Sequence, residues 1–247
     1  MADQTEWHNL YTEVRSYKKN LPADAQIKDR GFSIFYAPPK RECLLLIGLN
    51  PSRSDSSYIA KYPGAERTYP PNHLYCGDRG GKLSQELARM LVAGSGRIED
   101  PVEIDAWRKI IEGKKINIFF FGSRNWTEWN NERFWGSAGH DLRRDVETKC
   151  REWTRDIVRN ILPSKILCEG FAAFDRLCEM FDAIAGEEHA FVRAGRRNQR
   201  LFSRNNLKIG GAVVPILGIL HPTGGRGRTR EETIALGKEI ISFCKSD

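Results

Sequence analysis

LLLIGLNPS, residues 44–52, runs four apolar side chains into Gly-Leu and stops on an asparagine followed by proline. Its length and Leu/Ile content suit a strand buried on both faces, the kind that parallel sheets use. Asn50-Pro51 then ends it, because proline fixes its own φ and holds the preceding residue out of the helical region. A second stretch, VPILGILHPTGG (214–225), has the same grammar: an apolar run that closes on His221-Pro222. Two further apolar runs lie between them, KINIFFFGS (115–123) and KILCEG (165–170).

Helical patterns separate these runs. Residues 5–20 and 82–94 are amphipathic, and Gly94 stops the second. The stretch 100–113 has Pro101 near its start and Gly113 at its end, a helix from about His140 to Leu162 is closed by Pro163, and FAAFDRLCEMF follows the 165–170 strand. The last helix, from TREETIALGKEIISFC, opens with Thr229 and Glu232 at capping-box spacing. GFSIFYAP (31–38) alternates like a short strand, and residues 190–211 read as a basic hairpin with its turn at Asn205-Asn206. Residues 52–81, rich in Ser, Tyr, Pro and Gly, form a long loop of the kind that is usually functional.

Strands alternating with helices imply parallel pairing through right-handed crossovers. The fold class expected is therefore α/β: a three-layer α/β/α sandwich with a central, mainly parallel sheet. At 247 residues the chain suits a single domain spanning 1–247, with residues 1–40 as an N-terminal helical and strand extension.

A net charge of +7 favours an acidic partner such as DNA. The six cysteines, Cys43, Cys76, Cys150, Cys168, Cys178 and Cys244, are scattered without a C-x-x-C pair, which suits a reduced, cytoplasmic protein and proposes no metal. The N-terminus lacks a signal-peptide core and no run is long enough to span a bilayer, so no membrane association is expected. GGRGR lacks the Gly-Lys-Ser/Thr ending of a nucleotide-binding loop, so neither ATP nor GTP is expected as a cofactor. His8, His73, His140 and His189 read as structural or solvent-facing, and Trp126, Trp129 and Trp135 as packing residues.

In a parallel sheet all strands deliver their carboxyl ends to one edge, where ligands bind. Asn50 and His221 would then share one rim although far apart in sequence, each held by a following proline. Such fixed polar groups are what catalysis uses.

GLNPS and HPTGG, with the strands at INIFFFGS and KILCEGFAAF between them, resemble the two signature motifs and intervening strands of the uracil-DNA glycosylase superfamily, from about residue 43 to the C-terminus. The asparagine of the first motif is like that of the single-strand-selective and mismatch-specific branches, and the histidine of the second is like that of the former. The resemblance implies a monofunctional DNA glycosylase without metal or cofactor, acting as a monomer on DNA. Asn50 would position the attacking water and His221 would stabilise the departing base anion. Gly48, Leu49, Pro51, Ser52, Tyr62 (with Tyr58 as fallback), Ser123 and Asn125 would line the base pocket. Thr223, Gly224, Gly225, Arg226 and Arg228, together with Ser52, would hold phosphates, and the AGRRNQR run is either a solvated tip or a backbone contact.

This chain departs from the family at three positions. Ser52 stands where uracil-selective enzymes keep a bulky tyrosine, the base-reading asparagine at the end of the middle strand falls among Gly122, Ser123 and Asn125, and Gly225-Arg226 replaces the leucine wedge. A larger modified pyrimidine, including hypermodified bases of foreign DNA, is therefore an alternative substrate. A non-catalytic nucleic-acid-binding role is the reading from another class.

Overall fold

A computed structural model describes residues 4–35, 43–49, 82–97, 100–112, 114–123, 125–194, 197–223 and 228–246. Its elements are α1 (Gln4–Asn20), β1 (Leu44–Gly48), α2 (Lys82–Gly94), α3 (Pro101–Glu112), β2 (Lys115–Asn117), α4 (Trp126–Trp129), α5 (Gly139–Ile161), β3 (Lys165–Glu169), α6 (Phe171–Met180), β4 (Ala183–Ala194), β5 (Arg197–Ile209), β6 (Ala212–Ile219) and α7 (Arg230–Lys245).

The six strands form one sheet in the order β2-β1-β3-β6-β5-β4. β2, β1, β3 and β6 run parallel, whereas β5 pairs antiparallel with both β6 and β4. The sheet is thus mixed, with a parallel half made from the four apolar runs of the sequence.

Side-chain alternation along the strands divides the interior into two cores. Leu45, Ile47, Ile166, Cys168 and Ile216 join the core built with α1, α5 and α6. Leu46, Leu167, Leu217 and Ile219 join the other, built with α2, α3 and α7. Helices therefore cover both faces, as the crossovers require. The aromatic side chains of KINIFFFGS weight the first core, where Phe119 stacks on Trp129 with centroids 5.0 Å apart and Phe120 on Trp153 at 5.7 Å. Trp129 and Trp135 are fully buried, in keeping with a packing role. Cys150 and Cys168 lie in the same core as free thiols, and burial pushes Cys150 up to about 12.

Local signals set several boundaries. Thr229 caps α7 with its side chain and Glu232 returns the bond, completing the capping box. α5 ends with Leu162 in the left-handed region, one residue before Pro163. α2 and α7 cross at Gly94 and Gly237, where a methyl on Gly237 would overlap the carbonyl oxygen of Met90 and one on Gly94 would meet the Gly237 backbone.

Three sequence expectations are corrected. The middle run is a strand only over Lys115–Asn117, because after Ile118 and Phe119 bond to Gly48 O and Leu49 O the chain turns away and Phe121 bridges Phe32. GFSIFYAP contributes no full strand among the described residues; Phe32 and Phe35 make isolated antiparallel bridges to Phe121 and Ile116, so this segment shields the outer edge of β2. Asn205 and Asn206 are not a turn but interior residues of β5, opposite Ile216 and Pro215. The reversal comes at Gly210-Gly211, both at positive φ, which glycine tolerates without a Cβ clash.

Candidate active site

Ile47 pairs with Cys168, and Cys168 pairs with Gly218. These three residues form one rung across β1, β3 and β6, and positions 50 and 221 each lie three residues beyond it. Adjacent strands are about 4.8 Å apart, so the chain leaves β1 and β6 at the same edge, roughly 10 Å from one another. The chain departs from β1 toward β2 on one side and from β3 toward β6 on the other. The carboxyl edge between β1 and β3 is therefore the topological switch point, where open α/β sheets form their binding crevice.

His221 follows β6 by two residues at this edge. Its Nδ1 lies 3.1 Å from the Thr223 hydroxyl. Its ring packs beside Gly170, at which a Cβ would stand 3.2 Å from His221 Cδ2 and whose φ is +105°. His221 is exposed at the surface, but the protein packed about its ring partly desolvates it and holds its pKa below the ordinary value; the Glu169 carboxylate opposes this, and Lys115 adds to it.

Beside it lies a polar floor. Gly48, Asn117 and Glu169 each follow a residue of the α2/α3/α7 face by two positions or pair with one that does, so they share that face. Lys115 Nζ reaches across β1 to within 2.5 Å of Glu169 Oε2, with both side chains almost wholly buried. Glu169 Oε1 has no hydrogen-bond partner among the described residues. Gly48 is what lets the three polar side chains converge, since a Cβ there would stand 2.7 Å from Asn117 Oδ1 and 3.4 Å from Glu169 Oε2.

Of the other residues expected from sequence, Gly48 and Leu49 lie at this edge. Ser123 and Asn125 make local contacts. Gly122 bonds back to Gly31, Ser123 Oγ donates to Asn125 O, and Asn125 Oδ1 accepts from Glu128 N as the cap of α4. The asparagine that closes the middle strand is Asn117, opposite Gly48. Arg228 is turned onto its own loop, donating to Pro222 O and Thr233 Oγ1 at 3.2 Å each. Asn50, Pro51, Ser52, Tyr58, Tyr62, Gly224, Gly225 and Arg226 lie outside the described residues.

Lys115, Asn117 and Glu169 escaped the sequence reading. Their signal was a polar residue at either end of a short apolar run, which becomes meaningful only when strand register brings three strands together. Among the described residues no group of three His, Cys, Asp or Glu side chains is arranged to hold a metal, and no helix is long and apolar enough to cross a membrane. No protein-family model matches the chain, and no curated protein matches it.

Proposed function

We propose that the chain is a DNA glycosylase that hydrolyses the bond between deoxyribose and a deaminated or modified pyrimidine. The observation that supports this most is the common rung of Ile47, Cys168 and Gly218, beyond which Asn50 and His221, each followed by proline, come three residues later in the sequence.

Cleavage of an N-glycosidic bond builds positive charge on the sugar and negative charge on the base. The Asn50 amide orients the attacking water and turns its oxygen toward the sugar cation. It is too weakly basic to do more, so the rate comes from placement and electrostatics. In the tautomer that accepts the Thr223 hydroxyl at Nδ1, 3.1 Å away, His221 carries its proton on Nε2, a donor for the base oxygen where negative charge collects. A neutral imidazole performs this role, and the depressed pKa of His221 keeps it neutral at pH 7. Ser52 in place of a bulky residue extends the substrate range to 5-substituted pyrimidines.

The test is base release. The protein is incubated with oligonucleotides carrying uracil, 5-hydroxymethyluracil or a 5-substituted cytosine, and abasic sites are cleaved with alkali. Product that falls at least 100-fold with Asn50→Ala and with His221→Ala is expected, a factor typical for loss of one oriented electrostatic group. No product from any of these substrates would overturn the reading.

A further inference from the structure

The pairing of β5 with β6 ends at Phe202–Ile219, followed only by the bond from Leu220 N to Leu201 O. The pairing of β4 with β5 does not end there. It continues through Phe191–Arg200, Val192–Gln199, Arg193–Asn198 and Ala194–Arg197. Among the described residues the two strands therefore continue past β6 as a two-stranded antiparallel ribbon of four pairs, roughly 13 Å long at 3.3–3.4 Å per residue. Because β6 ends at the carboxyl edge, the ribbon overhangs the edge that carries His221.

The segment RAGRRNQRLFSR, 193–204, contains five arginines and no acid. The two nearest the sheet are already engaged. Arg204 bonds Glu239, and Arg200 reaches Asp175 at 3.1 Å while its guanidinium lies 3.8 Å from the Phe171 ring centroid. Phe171 opens α6 directly after Gly170, so these contacts moor the root of the ribbon beside His221. Arg193 and Arg197 belong to the projecting part.

We propose that the β4–β5 ribbon is a DNA-gripping arm whose outer arginines, Arg193 and Arg197, neutralise backbone phosphates beside the base held at the His221 edge. The identification of DNA as the partner rests on the glycosylase reading. β4 carries Glu187 and Glu188 within the sheet, but the projecting part, 191–200, has arginines and no acid, which suits a polyanion, and phosphate contacts position a protein without reading sequence.

Fluorescence anisotropy with an undamaged 20-base-pair duplex, titrated at several KCl concentrations, separates the arm from the chemistry. Arg193→Glu/Arg197→Glu is expected to weaken binding more than 10-fold at 100 mM salt and to flatten the slope of log K against log salt by about 2, since each phosphate contact contributes about 0.9. Arg193→Lys/Arg197→Lys is expected to retain the slope, and unchanged thermal melting confirms the fold of both. On a damaged duplex the charge-reversal variant should raise KM and leave kcat unaltered. An unchanged slope in the charge-reversal variant overturns the proposal, as does binding of the wild type to phosphatidylserine vesicles but not to DNA. Salt-dependent binding lost with the arginines but unaccompanied by base release retains the arm and removes the glycosylase; base release with an unaltered slope does the reverse.

Discussion

Lys115 and Glu169 meet across β1, 2.5 Å apart and above the α-carbon of Gly48. The two ions belong to strands that never pair with one another, so their attraction ties β2 to β3 over the strand between them. A pair this deeply buried is sensitive to loss of one partner, because the remaining charge stays desolvated.

Lys115→Met should therefore cost about 3–5 kcal/mol in urea unfolding, whereas Lys115→Met combined with Glu169→Leu should cost less than the single change. If the double variant is the less stable of the two, the pair contributes net stability beyond mutual compensation.

Gly170→Ala should lower stability by about 1–3 kcal/mol, the cost of holding a side chain at positive φ, and should also impair base release because the new methyl presses on His221. Gly211→Ala provides the control. Its φ is +87° with open space around it, so the same strain arises without touching the site. Comparison of kcat for the two variants at matched stability tests the role of the Gly170–His221 contact.

The His221 pKa is lower in the folded protein than in the unfolded chain, where it is near 6.5. Between those two values the unfolded chain binds a proton and the folded protein does not, so stability is full above pH 6.5 and falls as pH drops toward the depressed value. His221→Asn should remove this part of the pH dependence, which urea midpoints at pH 5, 6, 7 and 8 would measure. Base release that depends on the neutral ring should decline over the same acidic range.

Gly237→Ala should destabilise the protein by about 1–3 kcal/mol through overpacking, since the methyl has no room beside Met90 O and the helix backbones must separate. Thermal melting reads this directly.

The parts of this fold that were legible in the sequence are those set by neighbours along the chain. Pro101 at the start of α3, Leu162-Pro163 after α5 and the Thr229–Glu232 box each act within a few residues, and the helices begin and end there. The parallel half of the sheet was legible because fully buried strands are apolar throughout. Asn205-Asn206 misled because two residues with high turn propensity were enclosed by pairing to Ile216 and Pro215, while Gly210-Gly211 offered a turn with no steric cost. The length of β2 misled because burial continues through Phe119, Phe120 and Phe121 after the sheet bonding has ended. Lys115, Asn117 and Glu169 were illegible for a different reason, since their meeting depends on the relative register of three strands.

The crossing of α2 and α7 at Gly94 and Gly237 brings two helices into backbone contact, without side chains between them that would let one slide past the other. α2 (Lys82–Gly94) and α7 (Arg230–Lys245) are thereby fastened to each other as a single stiff strut over one face of the sheet. A push on either helix is therefore passed to the other as a rigid displacement, because no side chain at the crossing can repack to absorb it.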